Sequence, residues 1–391
     1  MIIRHTPPSF SDVRRPPPRV FPAEGFSAQG VKPLFFENVP YCGRPTRVFA
    51  WMGVPRTVQD TSCPGIVLLH GGGGTAFDEW VRIWNARGYA AIAMDLCGCI
   101  PAQPVVLDGG PHKRHEHGGP PGWDASFRQA DSEETEQWTY HAVAAAITAH
   151  SLLAAQPHVD PRRIAVTGIS WGGYLASIVA GVDSRLQATV PIYGCGFLGH
   201  DSGWKDSVFP TLPGPLLQRW LDLWDPSNYL PEAHAPICWI SGTNDSAYPL
   251  PSLRKSYELS TGPKTLCIRI EMPHGHPQGW DAPETAVFCD SLFRNGVPLP
   301  EITAYGRNEE KVWAKIASAR PPEKIELCVT RALGHWTDRK WNAHPANYNP
   351  ETGRVEASLP RHTTAWFFNV FDERNCVVST SYEEVPGTIT D

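Results

Sequence analysis

A serine flanked by two glycines is the residue of this chain best suited to covalent chemistry. It lies in Gly168-Ile169-Ser170-Trp171-Gly172, between an apolar run typical of a strand and a segment with a helical pattern. A G-x-S-x-G turn between strand and helix raises the serine hydroxyl on a sharp bend, and the amino end of the helix stabilises negative charge beside it. The pattern predicts that Ser170 is a nucleophile.

The residues that would activate the serine follow it in the order acid, then histidine. Asp245 comes three residues after Gly242, at the end of a predicted strand, and the loop after the next strand contains His274 and His276. A carboxylate holds an imidazole in the required tautomer, and the imidazole takes the serine proton. We favour His276 as the base, because the base usually follows a glycine a few residues beyond the strand end. His274 is the alternative.

A glycine-rich segment supplies candidate donors for an oxyanion. Gly72 and Gly73 lie in the run His70-Gly71-Gly72-Gly73-Gly74, directly after a predicted buried strand, and Trp171 follows the serine. Glycines let backbone N–H groups approach a substrate closely. We predict that the Trp171 amide and that of Gly72 or Gly73 bind the oxyanion. A phosphate-binding loop is a poorer interpretation, because the Lys-Ser/Thr pair and the GxGxxG spacing are both missing.

Neither a metal nor a cofactor is predicted. His112, His115 and His117 are irregularly spaced in a Gly/Pro-rich loop, which favours solvated or substrate-facing side chains. The ten cysteines form no CxxC pair, and several stand in strand-like apolar runs where free buried thiols are common.

Composition excludes several classes of protein. The 391 residues carry a net charge of −6, which gives no basic field for nucleic acid, and we find no apolar run long enough to cross a membrane. The N-terminal residues lack the apolar core of a secretory signal, so the default location is the cytoplasm, or the exterior if a leader had been removed. A homo-oligomer is compatible with this composition.

Strand and helix patterns alternate from residue 31 to about 300, which predicts an α/β protein with a mostly parallel, doubly wound sheet. Insertions near 100–132 and 196–228 interrupt the alternation, and loops of that length are usually functional. Residues 1–30 read as a proline-rich arm. The strand-like runs after residue 300 predict a small β-sandwich over 301–391.

The region 31–300, which contains these residues, resembles an α/β-hydrolase. The elbow "GISWGGY" is similar to those of prolyl-oligopeptidase-type hydrolases, dienelactone hydrolases and acetylxylan esterases. The segment "SGTNDSAYPL", with the β-rich tail, resembles the PhoPQ-activated pathogenicity-related family. The resemblance implies that Ser170, Asp245 and His276 take the triad positions. Only about 60 residues precede the first buried strand, fewer than the large N-terminal propeller of the peptidases would need, so we expect an esterase rather than a peptidase.

The leading hypothesis is a serine carboxylic-ester hydrolase for small acyl esters, with a small-molecule or carbohydrate ester as its substrate. The alternative is a prolyl-oligopeptidase-like peptidase or aminopeptidase, and a remote one is a non-catalytic binding protein on the same fold. Tryptophans in the insertions could stack on sugar rings, although packing of the insertions is the stronger interpretation. These tryptophans are Trp123, Trp204, Trp220 and Trp224.

Overall fold

A large mixed sheet forms the centre of the molecule. The computed structural model describes residues 5–13, 17–55, 62–102 and 112–385. The first strands along the chain are β1 Val20–Pro22, β2 Lys32–Tyr41, β3 Arg44–Gly53, β4 Cys63–Leu69, β5 Ala90–Met94, β6 Cys99–Ile100, β7 Lys113–Arg114, β8 Val159–Ile169, β9 Ala188–Ile192, β10 Ile237–Gly242 and β11 Lys264–Arg269.

Nine of these strands pair in the order β1-β2-β3-β5-β4-β8-β9-β10-β11. The six strands from β5 to β11 in this order are parallel, whereas β1, β2 and β3 are antiparallel to their neighbours. Strands β4, β5, β9 and β10 are buried along their whole length, as their continuous apolar sequences require. The carboxyl ends of the parallel strands therefore share one edge, where the predicted site residues lie.

Helices cover both faces of this sheet. Alternate residues of β4 point to opposite cores. Val67 and Leu69 pack with α2 (Trp138–Ala154) and α3 (Trp171–Val182), while Ile66 and Leu68 pack with α1 (Asp78–Ala86) and α7 (Pro283–Phe293). No helix in the described residues has both the length and the apolar character to cross a bilayer. The helices are α1 Asp78–Ala86, α2 Trp138–Ala154, α3 Trp171–Val182, α4 Gly214–Trp224, α5 Leu250–Leu259, α6 His276–Trp280 and α7 Pro283–Phe293.

The two predicted insertions differ in content. Residues 100–132 contain β7 and a 3-10 segment, Trp123–Gln129, and residues 103–111 of this insertion lie outside the described part of the chain. Residues 196–228 contain α4, a helix that the sequence pattern had not indicated. The Trp204 indole N–H donates to the Asp124 carboxylate at 2.8 Å, so the two insertions contact each other.

Two antiparallel sheets follow residue 300 and pack around a core of their own. Their strands are β12 Glu301–Asn308, β13 Lys311–Ala317, β14 Lys324–Thr330, β15 Asn342–Pro345, β16 Asn347–Asn349, β17 Arg354–Ser358, β18 Ala365–Phe371, β19 Val377–Ser379 and β20 Glu383–Glu384. One sheet has the order β12-β13-β17-β16, and the other has β15-β14-β18-β19, with β20 also on β18. Trp366, Phe368 and Val370 share one face of β18 and enter the core between the sheets.

Side chains of the C-terminal sheets bind the last strand of the central sheet. Ser379 Oγ accepts from the Ile268 amide at 2.8 Å, and the Asn369 side-chain amide donates to the Ile268 carbonyl at 3.0 Å. Glu284, fully buried on α7, accepts from the Val377 amide at 2.8 Å and is ion-paired with Arg269. The Glu284 carboxylate thus joins the C-terminal sheets to the α/β region.

Replacing Glu284 with alanine should lower the stability of the protein by about 3 kcal/mol, since its removal leaves the partly buried Arg269 guanidinium and the buried Val377 N–H group without this acceptor. Urea unfolding measures the loss. Glu284→Gln keeps an acceptor for Val377 and should lose less. The control is Glu258→Ala on α5, which removes an exposed pair with Arg254 worth about 0.5 kcal/mol. Equal losses at positions 284 and 258 would contradict the anchoring role of Glu284.

Candidate active site

Ser170 lies at the turn between β8 and α3, in a backbone conformation that few side chains adopt. Its φ is +57° and its ψ is −119°. Such conformations cost about 1–3 kcal/mol and are concentrated at functional sites. Close packing explains the flanking glycines: a Cβ on Gly168 would lie 2.1 Å from the Gly172 carbonyl oxygen, and one on Gly172 would lie 2.0 Å from the Leu69 carbonyl oxygen.

The Asp245 carboxylate accepts hydrogen bonds from two nearby backbone amides and contacts a histidine. After β10, its Oδ1 accepts from the amides of Ala247 at 3.0 Å and Tyr248 at 2.7 Å. Its Oδ2 lies 2.7 Å from Nδ1 of His274. The Asp245 side chain is fully buried and that of His274 is 29% exposed. A carboxylate can only accept, so Nδ1 of His274 carries the proton and Nε2 is left as a base.

The sequence favoured His276 as the base held by Asp245, but the histidine that contacts Asp245 in the structure is His274. His276 is 3% exposed, and its Nε2 accepts from the Gly71 amide at 2.9 Å. The reason is local: His276 begins α6 and packs against Phe77, with ring centroids 4.9 Å apart, while His274 stays in the preceding loop. His274, the alternative in the sequence, makes the contact with Asp245.

Tyr193 connects the serine turn to the His274 loop. The Ser170 amide donates to the Ile192 carbonyl at 2.9 Å, and Tyr193 follows directly after β9. The Tyr193 ring packs on the His274 imidazole, with centroids 4.6 Å apart, and its hydroxyl donates to the Gly275 carbonyl at 2.8 Å. Within the described residues, no hydrogen bond joins Ser170 Oγ to His274. Such contacts are often long before substrate binds.

His70 fixes the glycine-rich loop after β4. Its Nε2 accepts from the Leu96 amide at 3.1 Å, so its Nδ1 donates to the Gly71 carbonyl at 2.9 Å. Burial lowers the pKa of His70 to about 3, so the ring stays neutral and keeps this tautomer. We had predicted no function for His70 from the sequence, although its position before the glycine run was a usable signal.

Of the predicted oxyanion donors, Gly72 and Gly73 lie in this loop, and Trp171 lies at the start of α3. The amides of Gly71 and Gly74 are engaged, the first by His276 and the second by the Gly71 carbonyl at 3.1 Å. A Cβ on Gly72 would lie 3.1 Å from Cδ1 of Trp171, so Gly72 and Trp171, two of the three predicted donor residues, are neighbours. Within the described residues, neither the Gly72 amide nor the Trp171 amide donates to the protein.

The three loop histidines point in different directions. His112 Nε2 lies 3.2 Å from the Gly73 carbonyl oxygen, the His115 ring packs on Phe35 at 5.0 Å, and His117 lies beside Glu116. In the described part of the chain, no group of three or more His, Cys, Asp or Glu side chains could hold a metal ion.

Three of the four insertion tryptophans pack in the core. Trp220 and Trp224 are fully buried, and Trp204 is 9% exposed and packs on the Trp171 ring at 4.8 Å. Trp123 differs, because it is only partly buried and has a φ of +60°. Its ring lies 5.4 Å from that of His70 and 6.4 Å from that of Trp171. Trp123 therefore borders both segments that carry the candidate oxyanion donors.

The fold is that of the α/β-hydrolases. Residues 28–200 match the family model for acetyl xylan esterase (AXE1), and residues 116–286 match that of the prolyl oligopeptidase family. Both ranges contain Ser170; the first also contains the glycine-rich loop, and the second contains Asp245 and His274. The two matches support a serine hydrolase.

Solved structures of similar fold include two acetyl xylan esterases. The enzyme from Paenibacillus sp. R4 has a TM-score of 0.55 and 20% identity, covering 74% of this chain and 97% of that one. Acetyl xylan esterase 1 from Thermoanaerobacterium sp. JW/SL YS485 has a TM-score of 0.53 and 17% identity, covering 69% and 90%. An uncharacterized peptidase of Bacillus subtilis (strain 168), YuxL, is 24% identical over 221 residues, which are 52% of this chain and only 29% of that protein.

Proposed function

We propose that this chain is a serine carboxylic-ester hydrolase that acts on small acyl esters through an acyl-enzyme. The observation that carries the proposal is the Asp245–His274 pair. A buried carboxylate with two backbone donors fixes a partly exposed imidazole, and the Nε2 of this imidazole has no hydrogen-bond partner among the described residues. A strained serine turn at the end of β8, on the same edge of the sheet, provides the nucleophile.

In the first half-reaction, Ser170 Oγ bonds to the ester carbonyl carbon and its proton passes to Nε2 of His274. The Trp171 and Gly72 amides bind the resulting oxyanion, and one such donor is worth about 3 kcal/mol of transition-state stabilisation. The carbon–oxygen bond to the alcohol then breaks, and His274 returns its proton to the leaving oxygen. Water attacks the acyl-serine with the same proton transfers and releases the acid and Ser170.

An ester substrate is favoured over a peptide by the extent of the likeness. The acetyl xylan esterases are covered almost end to end by this chain, whereas the curated peptidase is covered over 29% of its length. A peptidase stays the second candidate because the prolyl oligopeptidase model spans the serine, the acid and the histidine. Glu133 and Glu134, which could hold a peptide amino terminus, stand at the start of a 3-10 turn as ordinary first-turn acids.

Parallel assays with p-nitrophenyl acetate and aminoacyl p-nitroanilides test this proposal. We expect turnover of the acetate that is lost after stoichiometric labelling by a fluorophosphonate, with the label on Ser170. Faster cleavage of the anilides would favour the peptidase. No labelling and no turnover would favour a non-catalytic binding protein.

Trp123 should set the size of the acyl group. The alcohol must face His274, which protonates it, so the acyl group extends to the other side, where Trp123 contacts His70 and Trp171. In Trp123→Ala, kcat/KM for p-nitrophenyl octanoate relative to acetate should rise about tenfold or more, because the added space accepts extra methylene groups. The control is Trp220→Phe, a change in the buried part of the same aromatic cluster. An unchanged ratio in an active Trp123→Ala enzyme would contradict this function of Trp123.

A further inference from the structure

A small cavity lies between β2, β3, α2 and the chain that follows β5. It leaves about 20 Å³ for the centre of a water molecule. A single water needs roughly 10–15 Å³ by this measure, so the cavity has room for one. Asn38, Asp95, Gly119 and His141 are among the residues that line it.

Two residues of the cavity wall each carry a buried acceptor atom that has no partner in the described residues. Asp95 is 2% exposed; its Oδ1 accepts from the amides of Cys97 at 2.8 Å and Cys99 at 2.7 Å, while its Oδ2 is unbonded. The Asn38 amide nitrogen donates to the His141 carbonyl at 3.0 Å, which fixes the orientation of the amide and leaves Oδ1 unbonded. Buried acceptors of this kind are normally satisfied, so both require a donor.

His141 provides the third polar group of the wall. Its side chain is almost fully buried, and neither ring nitrogen makes a hydrogen bond of normal geometry within the described chain. Burial lowers the pKa of His141 to about 4, although the backbone of Thr135 raises it in part. The ring is therefore neutral near pH 7 and has one N–H to donate.

These groups match the hydrogen-bonding capacity of one water molecule. We propose that an ordered water occupies the cavity, donates to Asp95 Oδ2 and Asn38 Oδ1, and accepts from a ring N–H of His141. Two acceptors and one donor on the wall use two donors and one acceptor of the water, and about three hydrogen bonds are usual for a buried water. Arg47 also lines the cavity, and its guanidinium stacks on the Phe21 ring, with Cζ 3.8 Å from the ring centroid.

The proposed water would bond to Asp95, which lies beside the residue that orients the candidate oxyanion loop. Asp95 Oδ2 lies 3.9 Å from Nε2 of His70, the residue whose other nitrogen holds the Gly71 carbonyl. The water would supply the missing hydrogen bond of the Asp95 carboxylate, which lies next to His70. Because the inference rests on the cavity and its unbonded atoms, it does not depend on the proposed reaction.

A crystal structure of the full chain at about 1.5 Å resolution and pH 7.5 tests the proposal directly. We expect one density peak about 2.7–3.1 Å from Asp95 Oδ2, Asn38 Oδ1 and a His141 ring nitrogen. An empty cavity would overturn the proposal. So would a peak with contacts near 2.4 Å, because that distance indicates a metal cation.

Oxygen-17 magnetic relaxation dispersion, which counts long-lived internal waters in solution, gives a second test. In Gly119→Ala the new methyl would lie 3.2 Å from Nδ1 of His141, which lines the cavity with Gly119, so we expect the methyl to displace the water and the count to fall by one. The matched control is Gly214→Ala, where a methyl meets no atom within 4 Å and the count should stay unchanged. A folded Gly119→Ala variant with the wild-type count would overturn the proposal.

Discussion

Ser170→Ala should reduce kcat for ester hydrolysis by a factor on the order of 10⁶, the loss typical of a missing serine nucleophile in a triad. The expected reason is that no acyl-enzyme can form, while the imidazole and the candidate oxyanion amides remain. The loss should appear in kcat with little change in KM, because the ester can still bind. Fluorophosphonate labelling, read by intact-protein mass, should disappear in parallel.

Ser177→Ala is the matched control, because Ser177 lies on the same helix and its hydroxyl only bonds back to the Gly173 carbonyl at 2.9 Å. This variant should keep its activity and its label. Substantial ester turnover by a folded Ser170→Ala protein would remove the basis of the proposed mechanism.

His274→Ala should be as inactive as Ser170→Ala, because the proton of the serine would have no acceptor. His276→Ala should lose far less, roughly 10²-fold in kcat, because its contact with the Gly71 amide positions the candidate oxyanion loop and takes no proton. Steady-state kinetics on p-nitrophenyl acetate measures both losses.

Added imidazole distinguishes the two histidines further. It can replace a missing base, so it should restore part of the activity of His274→Ala and none of that of His276→Ala. If His276→Ala is the dead variant and His274→Ala keeps its activity, the assignment of the base is reversed. Circular dichroism of both variants separates a lost function from a lost fold.

Much of the fold could be predicted because it depends on local patterns. Continuous apolar runs predict the parallel strands, and Tyr41-Cys42-Gly43 between two strand-like runs predicts the turn that joins β2 and β3. The pattern of residues 133–156 predicts one long helix, but the α-helix begins at Trp138, because Glu134–Glu136 forms a 3-10 turn. The helices α4 and α5 were not predicted; α4 lies within one of the insertions.

The choice between His274 and His276 could not be made from the sequence. Both stand in one loop, two residues apart, and the decision depends on partners that are distant along the chain: Asp245 for the first and Gly71 for the second. The sequence favoured packing for the insertion tryptophans, in agreement with the burial of Trp220 and Trp224, but it could not single out Trp123, which stays partly exposed once the insertions have folded.

The bonds from Ser379 and Asn369 to Ile268 have a consequence for solubility. Ile268 is on β11, the outermost parallel strand, and an uncovered strand of this kind invites pairing with another molecule. The two polar side chains occupy backbone groups that a foreign strand would otherwise engage. A chain cut near residue 300 would expose this ladder, so we expect it to self-associate even where its active site is intact.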